Sequence, residues 1–303
     1  MSRTYVFSSL VAAVLAVSPV SAVHAKVSAA DAAKLKTELT PMGGERAGNA
    51  DGSIPAWNGG LTPDKAPASY KAGEHLLDLF ADDKLLFTIT PQNLDKYKDK
   101  VPAGVKALMA AYPQSFFLPV YQTRRTAAAP KWVYDNITKN ATRAELANNG
   151  NGIEGAYGGV AFPVPKNAKG EVDPLMILWN HITRWRGVYI IRHSAQATVQ
   201  KNGAFSEVSS RQEVDFPFYH PKGNVESLDN RLLNYISVIK SPPRLAGGAV
   251  LLHDTIDQVA QPREAWGYNA GQRKVRRAPN LAYDTPVASA DGMIMADDVD
   301  MFN

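Results

Sequence analysis

Period-two alternation of apolar and polar positions dominates the second half of the chain, and it is clearest from Pro262 to Pro279. Trp266 and Tyr268 alternate with Ala265 and Gly267, which puts both aromatics on one face of a strand. Beyond Asn269-Ala270-Gly271-Gln272, a second strand is expected from Arg273 to Arg277, with Val275 between basic residues. Alternation on both sides of a Gly-containing gap is a hairpin signal.

The same pattern recurs upstream. A short strand is expected from Leu175 to Asn180 and a longer one from Gly187 to Gln200, with Tyr189, Ile191, His193, Ala195, Ala197 and Val199 on one face. Asn202-Gly203 is a strong hairpin turn, leading into Ala204 to Phe216, whose Phe205, Glu207, Ser209, Arg211, Glu213 and Asp215 form a wet face. Arg231 to Lys240 is apolar on both faces, as a buried strand should be, and Gly248 to Gln258 alternates again. About seven strands at this spacing predict an antiparallel meander over residues 175–279. Long antiparallel strands twist and coil, so the sheet should curl into an incomplete barrel.

Residues 26–160 read differently. Ser28-Ala29-Ala30-Asp31 fits a capping box ahead of Ala32, Leu35 and Leu39, and Pro41 stops that helix. Met42 to about Tyr70 is rich in Gly, Pro, Asn and Asp, and is expected to be an ordered arm with Ile54, Trp57 and Leu61 turned inward. Further helices are expected from Pro91 to about Lys100, from Pro102 to Pro113 with Val105, Leu108, Met109 and Tyr112 on one stripe, and from Thr138 to Asn149. Phe117, Val120, Tyr121 and Trp132 to Tyr134 suggest short extended pieces. The fold class is therefore α+β, a curved antiparallel meander with the N-terminal helices as its lid.

The first 25 residues fall outside this domain. Arg3, the apolar run Val6 to Val17 and Val23-His24-Ala25 before Lys26 make a cleavable signal peptide, with an apolar core too short for a membrane span. The expected location is the periplasm, and without cysteine the chain has neither a disulfide framework nor a lipidated N-terminal Cys. Removing the signal leaves 32 basic against 29 acidic residues, too even a balance to suggest nucleic acid. No other stretch is apolar for the length of a membrane span. The acidic tail, Asn280 to Asn303, has no closing cap or strand, which suggests a domain cut short at its C-terminus.

Chemistry is sparse. Gly150-Asn151-Gly152-Ile153-Glu154-Gly155 matches the dinucleotide fingerprint in letters, but a helix-like segment precedes it and prolines follow, so its context is wrong. His181 is the best histidine for a reaction, yet no G-x-S-x-G, H-E-x-x-H or cysteine accompanies it. His75, His193, His220 and His253 show no metal-ligand spacing. No catalytic residue, metal or cofactor is assigned. Trp179, Tyr189, Ile191, Trp266 and Tyr268 are candidates to line a lipid-sized cavity, with core packing as the plainer use of such aromatics. Arg273, Lys274, Arg276 and Arg277 are candidates to hold an anionic head group or a partner surface, with a solvated strand face as the plainer use.

LTPMGGERAGNADGSIPAWNGGL, YPQSFFLPVYQTRR, GGVAFPVP, WNHITRWRG, SPPRLAGGAVLLHDTIDQ and PREAWGYNAGQRKVRRAP together resemble the bacterial domain of unknown function 1329 family, described as outer-membrane lipoprotein-sorting-protein-like. The resemblance spans about Leu39 to Asp300. It implies a periplasmic protein with the fold of the lipoprotein carriers LolA and LolB, an incomplete barrel with a helical lid, working with an RND-type exporter of hydrophobic molecules. It brings no catalytic residues. The resulting expectation is a non-enzymatic carrier or chaperone for a lipid or a lipoprotein acyl chain. The alternatives are an envelope adaptor without ligand, docked on an exporter or an outer-membrane protein, and a hydrolase using His181.

Overall fold

The computed structural model describes residues 27–71, 73–75, 77–278, 284–287, 290 and 292–299. The signal-peptide segment and part of the acidic tail lie outside the described residues. In chain order the elements are α1 (Ala29–Ala33), β1 (Phe87–Ile89), α2 (Ala103–Ala111), β2 (Leu118–Val120), α3 (Lys131–Arg143), β3 (Glu145–Ala147), β4 (Gly152–Glu154) and α4 (Pro174–Ile182). The strands β5 (Tyr189–Val199), β6 (Phe205–Asp215), β7 (Arg231–Ser241), β8 (Ala249–Thr255), β9 (Glu264–Asn269) and β10 (Lys274–Ala278) follow. The architecture is α+β.

These last six strands form one antiparallel sheet in sequence order, β10-β9-β8-β7-β6-β5. Each strand pairs antiparallel with the next in sequence, as consecutive strands do when no long helix intervenes; only the β6–β7 connection carries a 3-10 turn, Pro217–Tyr219. The sheet does not close on itself, so β5 and β10 are its edges. Gly203 at φ +82 turns the β5–β6 hairpin, where only glycine adopts the left-handed backbone without strain.

The core gathers at one end of this sheet. Val133 and Ile137 of α3 and Met176, Trp179 and Ile182 of α4 cluster with Val214, Phe216, Phe218, Tyr219, Leu232 and Ile256. Ile190, Leu233 and Tyr235 pack against that cluster from the sheet. The buried Asn140 amide is satisfied on both its atoms. Asn140 of α3, 1% exposed, donates from Nδ2 to the carbonyls of Tyr157, Gly159 and Val160, and its Oδ1 accepts from Tyr157 N at 3.1 Å. Burial raises the Tyr219 hydroxyl far above the ordinary tyrosine range, so it stays a donor, here to the Thr183 carbonyl.

Several expectations are corrected. Leu175 to Asn180 is helix, because Asp173 caps the N-terminus through its side chain and Pro174 occupies the first turn. The meander is therefore the six strands β5–β10. The third helix begins at Lys131 after Pro130 and ends at Arg143, so Trp132 to Tyr134 are helical and Glu145–Ala147 is strand. Pro91 to Lys100 holds only a 3-10 turn at Leu94–Tyr97, since Asn93 folds back to accept from Thr90 N and donate to the Thr88 carbonyl. In α2 Met109 is buried, but Leu108 and Tyr112 are exposed. Gly150 to Gly155 comprises a turn and strand β4 of a two-stranded hairpin with β3.

The arm after Met42 is anchored on the body. Trp57 is buried and donates from Nε1 to the Ala127 carbonyl at 2.9 Å, while Arg46 stacks over its ring. Arg125 grips the same arm through the carbonyls of Glu45, Arg46 and Ala47. Ile54, expected to point inward, is 44% exposed.

Candidate functional site

Register fixes which sheet side chains share a side. Along the row nearest the core end, Tyr189 faces Asp215, which faces Asn234, then His253, then Glu264. One step outward the row reads Ile191, Glu213, Ile236, Leu251, Trp266 and Arg277. The next reads His193, Arg211, Val238, Ala249, Tyr268 and Val275. The helices pack the reverse side, through Ile190, Val214, Leu233 and Tyr235.

This face is apolar over β7 to β10 and open. Ile236 is 37% exposed, Tyr268 38% and Val275 63%. Burial on both sides was expected of β7, yet only Leu232 among its residues is buried. Its apolar reverse side enters the core near Leu233 and Tyr235, whereas Ile236 and Val238 look out on the other side.

Four of the five residues expected to line a cavity lie on this face. Trp266 and Tyr268 sit side by side on β9; Tyr189 and Ile191 are on β5, four strand spacings and so roughly 19 Å away. Trp179 is elsewhere. It belongs to α4, is 7% exposed inside the core, and donates from Nε1 to the Gly150 carbonyl at 2.9 Å. It packs the fold and lines no part of the face. Ile236, Val238 and Leu251 complete the apolar surface; the first two lie on β7, whose two apolar faces led to the expectation of a buried strand.

The basic quartet divides between the two sides. Arg277 shares the open face and pairs with Glu264 at 2.8 Å. Lys274 and Arg276 take the reverse side of the same edge strand, and Arg276 donates to Gln272 Oε1 at 3.2 Å. Arg273 lies in the turn at φ +52. A single head-group cluster of all four is therefore not what the alternation builds; they make a cationic edge.

A polar margin runs along the core end of the face. His220 Nε2 is 2.8 Å from Asp215 Oδ1, and Asn234 Nδ2 donates to Asp215 Oδ2 at 3.3 Å. Tyr189 donates to Glu213, which also pairs with Arg211. His253 stands edge-on to Trp266, with 5.1 Å between ring centroids. Burial, then the charge of Arg231, holds the His253 pKa below its ordinary value, and Glu264 works the other way. Behind the sheet, Asp254 accepts from Arg263 Nε, Gln258 Nε2 and Thr255 N. Burial pushes its carboxyl above the ordinary range despite the opposing pull of Arg263.

His181 is exposed in the last turn of α4, and its carbonyl accepts from Arg184. Among the described residues no three His, Cys, Asp or Glu side chains converge as metal ligands, and no helix is long and apolar enough to cross a membrane. A cleft of about 210 Å³ lies between the arm and Gln122–Thr126. Its cations already have partners: Arg124 on Asp83, Arg125 on arm carbonyls and Lys65 on the Gly60 carbonyl. It holds the arm down.

Relatives share this sequence without explaining its chemistry. An uncharacterized protein of Pseudomonas aeruginosa, PA3922, is 44% identical over 281 residues, covering 93% of this chain and 60% of the relative. The chain thus spans 60% of the length of that curated relative. A crystal structure of a DUF1329 family protein from Desulfovibrio piger is similar over 38% of this chain and 41% of that one, at 15% identity and a TM-score of 0.28. The pattern of DUF1329, described as a protein of unknown function, matches residues 88–303, and the chain belongs to that family.

Proposed function

We propose that the protein is a non-enzymatic carrier or chaperone of the periplasm, and that a lipid or the acyl part of a lipoprotein lies on the open face of the sheet. The observation that carries this reading is the apolar surface of Ile236, Leu251, Trp266, Tyr268 and Val275, which the protein leaves open while packing the core end of the reverse side. Exposed apolar patches with polar margins mark interaction sites. Each buried CH₂ contributes about 0.8 kcal/mol, so an acyl chain would bind usefully yet reversibly, and no covalent step is needed. In this reading the open sheet corresponds to the half-barrel of LolA and LolB, with α3 and α4 beside it, and an RND-type exporter or an outer-membrane protein exchanges the ligand. Export would use the signal peptide, with cleavage after Ala25.

Native mass spectrometry of protein purified from its own periplasm, followed by solvent extraction, tests the reading directly. A bound acyl species is the expected result. Empty protein that also takes up no fatty acid or phospholipid after delipidation overturns it.

The adaptor reading has one observation of its own, the edge strand β5, which pairs only with β6 among the described residues and is eleven residues long with Arg192 as its single Lys, Arg, Asp or Glu residue. Long uncharged edges invite another strand. Crosslinking of β5 positions to an envelope protein, with an empty lipid extract, would favour it.

A further inference from the structure

The core end of the open face carries a guanidinium that, among the described residues, has no anion paired with it. Arg231 opens β7, is half-buried, and its Nη1 is sealed from solvent without a hydrogen-bond partner among the described residues. The β7–β8 register shifts between Arg231 and Leu233, and Arg231 pairs with Thr255, the residue two beyond His253 on β8, so Arg231 and His253 leave the sheet on the same side. The field that Arg231 exerts on His253 agrees with that placement.

The carboxylates of the adjoining strands and of the β8–β9 loop are engaged elsewhere. Glu264 is held by Arg277 and Asp215 by His220 and Asn234. Asp254 serves Arg263 on the reverse side, and Asp257 accepts from Asn148 Nδ2 and from its own loop. A half-buried guanidinium has lost part of its hydration, and that loss is costly unless an anion replaces the water. Its planar fork suits a carboxylate or a phosphate, which it can grip through two parallel bonds. The apolar rows begin beside it: from the Thr255 row to the Ala249 row, β8 runs roughly 20 Å.

We propose that Arg231, with His253 beside it, receives the anionic head group of a single-chain amphiphile whose hydrocarbon lies along Leu251, Ile236, Trp266 and Tyr268. The proposal rests on the carrier reading and adds the ligand class, a carboxylate or phosphate at one end of one acyl chain. The half-buried guanidinium selects for charge at the head, and the apolar rows select for the chain.

The test is calorimetric titration of the delipidated full chain with dodecanoate, dodecyl phosphate and dodecanol, for the wild type and Arg231→Met. The wild type should bind at least one of the two anionic amphiphiles tenfold or more tightly than the alcohol, and the stronger of the two names the head group. Arg231→Met should erase that preference and leave the affinity for dodecanol unchanged. Should that variant not fold, Arg231→Gln replaces it. Equal affinity for all three ligands, or a preference that survives in the variant, overturns the head-group site and leaves the carrier reading standing. Binding of none of them overturns the carrier reading. In that case inorganic phosphate decides about Arg231: a rise in melting temperature seen in the wild type and lost in the variant keeps an anion site there, and no difference removes it.

Discussion

Arg263 Nε donates to Asp254 Oδ1 at 2.9 Å, and the two side chains are 2% and 5% exposed. The pair ties the start of β9 to the end of β8 behind the open face, and Gln258 and Thr255 use the same carboxylate oxygen. Two charges this deep offset each other's lost hydration, so removing one should be far worse than removing both. Asp254→Ala is expected to cost about 3–5 kcal/mol in urea unfolding, because Arg263 loses the carboxylate it is buried against. The double variant Asp254→Leu, Arg263→Leu should recover most of it. A single variant as stable as the double would show that the pair is hydrated in solution.

Asn140 makes a sharper case, because its amide works in both directions. Nδ2 donates to three carbonyls and Oδ1 accepts from Tyr157 N and from Arg143. Asn140→Asp keeps the shape but points a carboxylate oxygen at carbonyls, leaving them unpaired at about 1–3 kcal/mol each. It should destabilise more than Asn140→Ala at neutral pH. Its folded-state pKa would rise above the unfolded value, so its deficit should shrink as the pH falls and the group takes up a proton. Thermal unfolding of the two variants between pH 4 and 8 checks the sign; an Asp variant that improves with rising pH contradicts it.

The sheet was legible in the sequence and the helical half much less so. Period two survives any packing, because a strand alternates sides whatever lies on either of them. That is why Tyr189, Ile191, Trp266 and Tyr268 could be placed on common strand faces before any coordinates. What alternation cannot tell is which face is covered. Arg231 to Lys240 is apolar on both sides, yet the helices reach one side alone, and Ile236 is left in the open. Leu175 to Asn180 misled for another reason: a short apolar run has no decisive period, and the deciding signal lay outside it, in Asp173-Pro174. Arg231 carried no signal at all, since a lone basic residue at a strand start looks the same whether solvated or enclosed.

His253 should set part of the acid limb of stability. Burial and Arg231 keep its folded-state pKa below the unfolded value of 6.5. On acidification the unfolded chain therefore takes up this proton first, and stability falls as the pH drops through 6.5, levelling off below the folded pKa. His253→Gln should flatten that limb relative to the wild type, the effect remaining modest because the ring is only half-buried. Melting temperatures from pH 5 to 7.5 give the comparison, and parallel curves for the two proteins would remove His253 from the account.

The open face can be separated from the fold by matched substitutions on its two sides. Ile236→Thr and Val275→Thr keep a β-branched residue on a strand and remove apolar surface from the proposed ligand side. Val250→Thr makes a comparable change on the reverse side at 48% exposure. All three positions are exposed, so each should alter stability by less than about 1 kcal/mol. Acyl binding should weaken by about 1 kcal/mol, close to fivefold, for Ile236→Thr or Val275→Thr. Val250→Thr should leave it unchanged. Loss of binding in the Val250 variant alone would move the ligand to the other side of the sheet, where Lys274 and Arg276 lie.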